Sequence, residues 1–458
     1  MTTDRLPPQN VEAEQSLLGS ILIDPEAIIR VSPIVRPEDF YRETHGTLYE
    51  AALELHERRQ PADFVTLRDA LQQRGLLEMV GGTAYLTTLV NSVPTSAHAE
   101  YYAQIVQRTA LLRRLIDAAT KITGIAYEPT DDAEEAIDRA EQILFAVAER
   151  RHARDLTPIS QVIARYYDRI QLLAEQKGQP LGVPTGFDLL DRLLGGLQPS
   201  DLIILASRPS MGKTALALTM ATQAAKRHRT HVALFSLEMS AEQLVQRLLS
   251  AETGIDSQRL RVGDVKEEEW PLIVQAASTL SDTQIFIDDS ASLTVMAMRS
   301  KARRIHSQYG LDLIVVDYLQ LMEGDRRSEN RVQEISNISR GLKGLARELN
   351  VPVLALSQLS RAVEARQDKR PQLSDLRESG SIEQDADVVL FIYRDSMYYK
   401  TEEEWARAFP NKPYFPGLSE VWVSKQRNGP AGKKVDLFFV ENLAVFRDLH
   451  PERVQLNA

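Results

Sequence analysis

The sequence predicts an α/β domain with a largely parallel sheet, preceded by a separate all-helical domain. Six short apolar runs lie between residues 202 and 393, and helical patterns separate the first five. That alternation is typical of parallel strands joined by helices. Residues 11–22 instead carry apolar side chains close to helical spacing, and similar segments follow them. The two patterns divide the chain into a helical part and an α/β part.

Length and composition limit the class of protein. A chain of 458 residues allows about three domains. The net charge of −10 argues against a polycation that coats nucleic acid, although local basic loops inside a pore are compatible with it. There is no cysteine for a disulfide or a thiolate metal site, and no apolar run approaches the ~20 residues of a membrane span. We expect a cytoplasmic protein without a secretion signal or a membrane partner.

The helical domain is predicted to span residues 1–151 and to end in a hairpin of two long helices. His45 and His56 show no ligand-like spacing, so we expect them to be surface or packing residues. Two uses of the hairpin stay open, packing within its own domain and self-association. Its apolar stripes are Ile105, Leu112, Leu115, Ala119 and Ile122 on the first helix and Ile137, Ala140, Leu144 and Val147 on the second.

A linker is predicted over residues 152–180. Residues 161–177 within it have the pattern of an amphipathic helix, and Gly178 is a suitable stop. A lone amphipathic helix between two domains either caps the next domain or docks on a neighbouring subunit. Its apolar face carries Val162, Tyr166, Ile170 and Leu173.

The α/β domain is predicted to span residues 181–458, with a phosphate-binding loop after its first strand. Residues 206–214 read Ala-Ser-Arg-Pro-Ser-Met-Gly-Lys-Thr, between an apolar run and a helical pattern. Backbone N–H groups in such a turn and at the helix N-terminus favour an anion. Lys213 can reach the β- and γ-phosphates of a nucleotide, and the Thr214 hydroxyl can ligate Mg²⁺. The predicted nucleotide contacts are Ser210, Gly212, Lys213, Thr214 and Ala215.

The match to the general phosphate-loop motif is incomplete, because Ser207 stands where that motif has its first glycine. A strand–turn–helix corner with an incidental lysine is the alternative. The strand before the loop and the helix after it supply the context that the motif requires. The sequence therefore favours a nucleoside triphosphatase.

Polar side chains end three of the other predicted strands. Asp317 follows the run at residues 311–316, where it could hold Mg²⁺ through water. Glu238 follows a second run and could polarise the water that attacks the γ-phosphate. Gln358 follows a third, with an uncharged amide suited to sensing the γ-phosphate. Each of them alone could be a cap or turn residue, but three such ends on one sheet favour a catalytic site.

Two late runs, residues 420–424 and 434–440, are joined by the turn-rich residues 427–432 and predict a β-hairpin with an Asn-Gly turn at Asn428. Lys425 and Arg427 lie beside this turn. Basic residues on an exposed hairpin are most often solvated. In a ring or filament of ATPases they could instead reach the γ-phosphate of a neighbour, where an arginine is worth ~10³–10⁵ in rate.

Two polar segments are candidate polynucleotide contacts. Residues 323–331 follow the Asp317 strand, and residues 374–381 follow the Gln358 strand. Both mix positive and negative side chains, so neither is a basic patch by composition. Arg377 and the backbone amides around Gly380 could track phosphates without reading bases. A solvated loop is the alternative for both.

Seven motifs now stand in order along both domains, at residues 6–19, 182–188, 206–214, 236–240, 316–321, 376–387 and 425–430. They open with Leu-Pro-Pro-Gln-Asn-Val-Glu-Ala-Glu and close with Lys-Gln-Arg-Asn-Gly-Pro. With this order and spacing, the chain resembles the bacterial replicative DNA helicases of the DnaB family along almost its whole length.

The resemblance implies a homohexameric ring that hydrolyses ATP with Mg²⁺ and translocates 5′→3′ on single-stranded DNA. Such a ring unwinds forked duplex at the replication fork. The resemblance further implies a RecA-type C-terminal motor and an N-terminal collar that binds primase. A helicase loader is a further expected partner, and the 161–177 helix is expected to dock on a neighbouring subunit.

Site roles follow from the resemblance motif by motif. Lys213 and Thr214 serve the phosphates and Mg²⁺, Asp317 serves the metal, and Glu238 is the general base. Arg247 and Gln358 belong to the same nucleotide site. Lys425 and Arg427 are expected to act on the nucleotide of the adjacent subunit. The residues expected to contact the DNA backbone are Arg377, Glu378 and Gly380.

Two other functions compete with this interpretation. A RecA-type ATPase that forms rings without unwinding would share the motor motifs, but it should lack the collar and the opening motif at residues 6–19. A loading or scaffold protein would bind nucleotide without turnover. Glu238, Asp317 and Arg427 argue against the second function, because each is a residue type that hydrolysis requires.

Overall fold

The computed structural model describes residues 6–128, 182–324, 331–399, 401–408, 415 and 417–449, with single positions between 133 and 167. The chain forms two compact units, residues 1–167 and residues 168–458. Of the predicted linker helix at 161–177, only Ile163, Tyr166 and Tyr167 fall among the described residues, and all three side chains are exposed. Within the described part of the chain, no helix is long and apolar enough to span a membrane.

The first unit is helical where it is described. Asn10 begins α1, since its side-chain oxygen accepts a hydrogen bond of 2.9 Å from the Ala13 amide. The α1 helix packs against both α5 and α6 around one apolar core. The helices are α1 Val11–Ile23, α2 Ala27–Val31, α3 Glu43–Glu57, α4 Phe64–Gln73, α5 Gly82–Asn91 and α6 Ala99–Tyr127.

His45 is a packing residue, as the sequence predicted. Its side chain is fully buried, with Nδ1 2.7 Å from Glu14 Oε2 and Nε2 2.6 Å from the Tyr85 hydroxyl. Glu14 also accepts a hydrogen bond of 2.6 Å from the Tyr41 amide, just before α3 begins. These hydrogen bonds satisfy a buried charged group and tie α1, α3 and α5 together.

The long helix α6 confirms the first arm of the predicted hairpin but buries a different face. Leu112 and Leu115, both in the predicted stripe, remain 44% exposed. The buried side chains are mostly small, because α6 lies close against its neighbours in the core. The second arm falls largely outside the described residues. The buried face of α6 carries Ala99, Ala103, Val106, Thr109, Ala110, Ala118 and Ile125.

The second unit contains a sheet of nine described strands, in the order β3-β2-β4-β5-β1-β6-β7-β8-β9. Strands β1 to β6 pair in parallel, and β7 to β9 extend the sheet antiparallel from β6. The largely parallel sheet is therefore confirmed. The strands are β1 Leu202–Ser207, β2 Val232–Ser236, β3 Ile285–Asp288, β4 Leu313–Asp317, β5 Val353–Gln358, β6 Val388–Tyr393, β7 Leu418–Gln426, β8 Lys433–Val440 and β9 Val445–Asp448.

Helices cover both faces of this sheet. Along β1, Ile203 and Leu205 belong to one buried cluster, and Leu202, Ile204 and Ala206 belong to the other. Successive side chains of a strand point to opposite faces, so both faces are dry and the central strands are apolar throughout. The helices are α7 Asp188–Leu194, α8 Lys213–His228, α9 Ala241–Thr253, α10 Ser257–Val262, α11 Trp270–Ser281, α12 Val295–Gln308, α13 Arg331–Leu349, α14 Gly380–Asp385 and α15 Glu402–Ala408.

The late hairpin is confirmed, and so is its connection through residues 427–432. Val423 pairs with Lys433, and Gln426 at the end of β7 pairs with Val388 of β6 instead. The two strands are joined by residues 427–432, as predicted, and Asn428 and Gly429 lie within this connection rather than forming a two-residue turn between paired strand ends. The left-handed glycine of the loop is Gly432, with φ +74°. Strand β9 was not predicted.

Candidate nucleotide site

The phosphate loop joins β1 to α8 in the middle of the sheet. Gly212 caps α8 with φ +96°, a left-handed conformation that favours glycine. A Cβ atom at this position would also lie 2.9 Å from the Phe446 ring and 3.3 Å from the Phe439 ring. Ser210 adopts a positive φ of 66° two residues earlier. The loop is thus folded tightly back on itself, so the first N–H groups of α8 are free to bind an anion.

Asp317 ends β4 close to the start of α8. Thr214 Oγ1 donates a hydrogen bond of 2.7 Å to Asp317 Oδ2. Lys213 Nζ lies 3.7 Å from the other carboxylate oxygen, Oδ1. Asp317 is 1% exposed, and its Oδ1 is a buried atom without a hydrogen-bond partner among the described residues. This arrangement leaves one carboxylate oxygen available at the place where a cation would sit.

Lys213 is held between two carboxylates and an aromatic ring. Its Nζ lies 4.2 Å from the centre of the Tyr318 ring, a cation–π distance. Burial lowers the pKa of the Lys213 ammonium, against the opposite effect of Asp317 and Glu238. Burial also raises the pKa of the Tyr318 hydroxyl, helped by the same two carboxylates. A poorly hydrated ammonium interacts strongly with an incoming phosphate.

These groups open on a cavity of about 400 Å³ at the carboxyl ends of the parallel strands. Glu238 and Arg247 enter it from the β2–α9 side, and Gln358 enters it from the end of β5. The structure therefore brings together eight of the predicted site residues in one place. They are Ser210, Gly212, Lys213, Thr214, Ala215, Glu238, Arg247 and Gln358, and Asp317 lies directly beneath them.

Gln358 is kept in place by a residue for which the sequence analysis proposed no role. Gln320 Oε1 accepts a hydrogen bond of 3.2 Å from the backbone N–H of Gln358, and Gln320 Nε2 donates a hydrogen bond of 2.9 Å to Ser357 Oγ. In the parallel register of β1 and β5, Gln358 lies opposite Ser207. The amide side chain of Gln358 is exposed at this edge, beside the phosphate loop.

Several residues without a predicted role lie in and around the loop. Arg208 is buried, donating 2.7 Å to the Leu359 carbonyl and 2.8 Å to Glu364. Arg394 donates 3.4 Å to the Ser210 carbonyl and lies over the Phe439 ring. Arg208 belongs to the loop motif, whereas no local motif marks Arg394 or Phe439, because β6 and β8 bring them to the loop from distant parts of the chain. Tyr318, Phe439 and Ala444 also line the cavity.

The residues fit a nucleotide with a bound divalent cation. Among the described residues, no cluster of three or more histidines and carboxylates could hold a metal alone. Mg²⁺ characteristically keeps waters and binds one or two protein oxygens together with substrate phosphates. Thr214 and the free oxygen of Asp317 are the oxygens that would hold it. Such an ion would neutralise charge that develops on the β- and γ-phosphate oxygens.

Lys425 and Arg427 do not line this cavity. Lys425 Nζ donates to the backbone carbonyls of Glu383 and Ala386, the latter at 2.7 Å. Arg427 Nη1 lies 3.3 Å from Asp387 Oδ1, and the arginine side chain is 56% exposed. Both basic groups are thus anchored at the end of α14 and not at the phosphate loop of their own chain.

The predicted DNA contacts lie on backbone that is helical. Arg377 and Glu378 belong to a 3₁₀ segment, Leu373–Ser379, and Gly380 opens α14. The side chains of these three residues are outside the described part of the structure. Asp375, earlier in the 3₁₀ segment, accepts a hydrogen bond of 2.7 Å from Arg366. In the other candidate segment, residues 325–330 are outside the described residues.

A phosphate loop after the first strand of a parallel sheet, with a carboxylate beneath it, defines the protein as a P-loop nucleoside triphosphatase of RecA-like fold. A family model described as the DnaB-like helicase C-terminal domain matches residues 182–448, and one described as the N-terminal domain matches residues 6–108. The chain belongs to the DnaB-like helicase family.

Relatives support this assignment over the full length. The replicative DNA helicase DnaC of Bacillus subtilis is 49% identical over 450 residues, 98% of this chain and 96% of its own length. The replicative DNA helicase DnaB of Geobacillus stearothermophilus is 48% identical over 448 residues, again 98% of this chain and 96% of its own length. At this identity and coverage, the chain is an ATP-dependent replicative DNA helicase.

A solved structure agrees with the relatives. The structure of a DnaB-like replicative helicase and its interactions with primase has 34% identity and a TM-score of 0.75, covering 96% of this chain and all of that one. A second solved structure, an isolated ATPase domain, has 39% identity and a TM-score of 0.59, covering 65% of this chain and all of that one. The RecA-like motor with a separate helical N-terminal domain is therefore confirmed.

Proposed function

We propose that this protein is the motor of a homohexameric ring that hydrolyses ATP with Mg²⁺ and moves 5′→3′ along single-stranded DNA. The observation that carries the proposal is the hydrogen bond of 2.7 Å between Thr214 and Asp317, with Lys213 3.7 Å from the same carboxylate. It places a hydroxyl, an ammonium and a carboxylate oxygen without a hydrogen bond among the described residues, Asp317 Oδ1, at the N-terminus of α8. That set matches a nucleotide γ-phosphate with its cation.

Within one subunit, each group has a distinct role in this proposal. Lys213 binds the β- and γ-phosphates, while Thr214 and Asp317 hold the cation. Glu238 is exposed at the cavity wall, where it can accept a proton from the attacking water. Gln358, held through Gln320, senses the γ-phosphate, and Arg247 completes the phosphate contacts at the α9 side.

Between subunits, Lys425 and Arg427 act on the nucleotide of the neighbour. They are absent from the lining of their own cavity, and the Arg427 side chain is 56% exposed while anchored at Asp387. An arginine supplied in trans stabilises transition-state charge. An assembly in which each cavity faces the hairpin of the next subunit gives Arg427 a phosphate to act on, and the proposed ring is such an assembly.

Arg377, Glu378 and Gly380 are proposed to contact the DNA backbone from the start of α14.

Primase is the proposed partner of the N-terminal collar, consistent with the helicase of the similar solved structure, and a loader is proposed to open the ring. The proposed domains are the collar at 1–151, the linker at 152–180 with a helix that docks on a neighbour, and the motor at 181–458. The proposed site of action is the cytoplasm.

Unwinding of a forked duplex with ATP and Mg²⁺ tests the function directly, with the 5′ or the 3′ tail deleted in turn. A 5′→3′ ring should still separate strands after loss of the 3′ tail and should fail after loss of the 5′ tail. The opposite dependence would contradict the proposed polarity. Hydrolysis of ATP without unwinding of either fork, even after the loader is supplied, would favour a non-unwinding ATPase.

A further inference from the structure

Two helices of the motor are fastened together along one face. Ser336, Ser339 and Lys343 are spaced three and four residues apart on α13, so they share a side of that helix. Ser336 Oγ donates a hydrogen bond of 2.7 Å to Ser381 Oγ on α14. Ser339 and Lys343 continue the row with hydrogen bonds to the carboxylates of Asp385 and Asp387, respectively.

Asp387 lies at the end of this row and is almost fully buried. Its Oδ2 accepts hydrogen bonds from Lys343 and, at 2.8 Å, from the Leu202 amide at the start of β1. Its Oδ1 pairs with Arg427 Nη1 at 3.3 Å, and its carbonyl accepts 2.9 Å from the Arg427 amide. A buried carboxylate with this many donors has little freedom to move. Arg427 is therefore fixed at both its backbone and its side chain by one residue.

The second basic residue of the hairpin is attached to the same segment. Lys425 Nζ donates to the carbonyls of Glu383 and Ala386, at the C-terminal end of α14. A lysine there satisfies carbonyls that lack intrahelical partners and complements the helix dipole. The residues between α14 and β6 thus hold both Lys425 and Arg427.

We propose that Asp387 is a positioning residue that aims Arg427 at the nucleotide of the neighbouring subunit. This inference rests on the proposed role of Arg427 in trans. A guanidinium has five N–H donors in a fixed plane, and Asp387 pairs with Nη1 while the side chain stays 56% exposed. The remaining N–H donors of the Arg427 guanidinium can face a phosphate outside the chain. Because Asp387 already orients the guanidinium, Arg427 needs no search for the correct rotamer.

The same contacts connect Arg427 to the proposed DNA contacts. Helix α14 begins at Gly380, and α13 begins at Arg331, where the other candidate DNA segment ends. The row of contacts from Ser336 to Asp387 therefore joins the two helices that follow the candidate DNA segments to the residue that pairs with Arg427.

Replacement of Asp387 by Asn tests the positioning role in the full-length protein. Asn keeps the size of the side chain and an acceptor for the Leu202 amide, but it removes the charge that pairs with both Arg427 and Lys343. Since a misplacement of 1 Å costs ~10²-fold in rate, we expect kcat for ATP with single-stranded DNA to fall by about 10²-fold. KM for ATP should stay close to wild type, because the cavity of each subunit is unchanged.

Asp39→Asn is the matched control, in the other compact unit. Asp39 is also a buried carboxylate that accepts from a backbone amide, that of Arg36 at 2.8 Å, and pairs with an arginine, Arg114. It undergoes the same chemical change in the unit that does not contain the hairpin. Its kcat and its stimulation by DNA should stay close to wild type.

ATP turnover by mixed rings distinguishes a positioning role of Asp387 from a purely structural role. Subunits with Asp387→Asn retain an intact phosphate loop, whereas subunits with Lys213→Ala retain a correctly aimed Arg427. Co-assembled rings should hydrolyse ATP faster than either parent ring, because some interfaces combine the two intact halves. Turnover equal to the weighted sum of the parents would overturn the inference.

Arg427→Ala separates the failure of this inference from the failure of the proposed function. Wild-type turnover of Arg427→Ala would contradict the role of Arg427 itself. Loss of turnover in Arg427→Ala with wild-type kcat in Asp387→Asn would leave that role standing and overturn the positioning by Asp387. If Asp387→Asn does not assemble, Asp387→Glu replaces it, since the longer side chain moves Arg427 while keeping its partner. Wild-type kcat in folded Asp387→Glu would equally overturn the inference.

Discussion

Thr214 and Asp317 lie 103 residues apart in the sequence and meet through a hydrogen bond of 2.7 Å between Oγ1 and Oδ2. Thr214 lies in the first turn of α8, which follows β1 and the phosphate loop. Asp317 ends β4, which is two places from β1 in the sheet. The second oxygen of Asp317 is buried without a hydrogen-bond partner in the described part of the chain. Its charged neighbour among the described residues is the Lys213 ammonium at 3.7 Å, and a buried carboxylate oxygen without a hydrogen bond is costly unless a ligand uses it. The pair is therefore prepared for a cation that arrives with the nucleotide.

Asp317→Asn should retain the fold and lose turnover. Asn still offers an oxygen to Thr214, but it removes the negative charge that would hold Mg²⁺. A metal site supplies several kcal/mol of transition-state stabilisation, so we expect kcat to fall by about 10²-fold or more. Steady-state ATP hydrolysis over a range of Mg²⁺ concentrations measures the effect.

The control for this substitution is Asp288→Asn, at the end of β3 in the same sheet. Asp288 pairs with Lys301 at 2.5 Å and does not line the cavity. Its turnover should stay close to wild type. Equal turnover of Asp317→Asn and Asp288→Asn at all Mg²⁺ concentrations would remove Asp317 from the metal site.

Lys213→Ala should abolish ATP turnover while leaving the assembly intact. The ammonium lies among Asp317, Glu238 and the Tyr318 ring, and no other lysine of the described residues lines the cavity. Loss of one such electrostatic group costs roughly 10²–10³ in kcat. Light scattering of the purified variant should report the same mass as wild type. A smaller particle would mean that the loss of turnover comes from disassembly.

Gly212→Ala should damage the phosphate loop itself. A side chain is strained at φ +96°, and its Cβ would lie 2.9 Å from the Phe446 ring and 3.3 Å from the Phe439 ring. Loop and rings must separate, so we expect a lower melting temperature together with weaker nucleotide binding. Differential scanning calorimetry and titration with a fluorescent nucleotide measure the two effects.

The matched control is Gly263→Ala, at the C-terminal end of α10. Gly263 also has a positive φ of 72°, but a Cβ there would have no neighbour within 4 Å among the residues that the structure describes. It carries the backbone strain without the contact with the rings. A melting temperature as low as that of Gly212→Ala would mean that strain alone, and not Phe446 and Phe439, explains the defect.

The sequence predicted the parts of the site that depend on local order. The loop at 206–214 needs only a strand before it and a helix after it, and both are encoded within a few residues of Lys213. Asp317, Glu238 and Gln358 were predictable because parallel strands share one carboxyl edge. Once the strands are assigned, their shared carboxyl edge is enough to predict that these three side chains lie close together.

The residues that were missed depend on packing between distant segments. Phe439 and Phe446 come from antiparallel strands added at the far side of β6, and their contact with Gly212 has no local signal. On α6 the buried stripe follows Ala103 and Val106 rather than the larger Leu112 and Leu115. Helical spacing identifies apolar faces, but only the neighbours decide which face is buried.

Asp201 should make stability depend on pH in a recognisable direction. Burial raises the pKa of its carboxyl to about 6, and the nearby negative charge of Asp387 adds to this, against Lys343 and Arg427. In the unfolded chain the pKa is near the ordinary value of 3.8. The folded protein therefore binds more protons between these two values, so this group lowers the free energy of unfolding as pH rises through that window.

Asp201→Asn removes the ionising group and should raise the melting temperature at pH 7.5, with a smaller gain at pH 5. Asp63→Asn is the control, because hydrogen bonds from the Thr66 and Val65 amides lower the pKa of Asp63 instead. A group with a lowered pKa stabilises the fold in its charged form, so its removal should give no gain at pH 7.5. Calorimetric melts at both pH values compare the two variants. A gain for Asp201→Asn that is equal at pH 5 and pH 7.5 would show that packing, and not the ionisation of Asp201, is responsible.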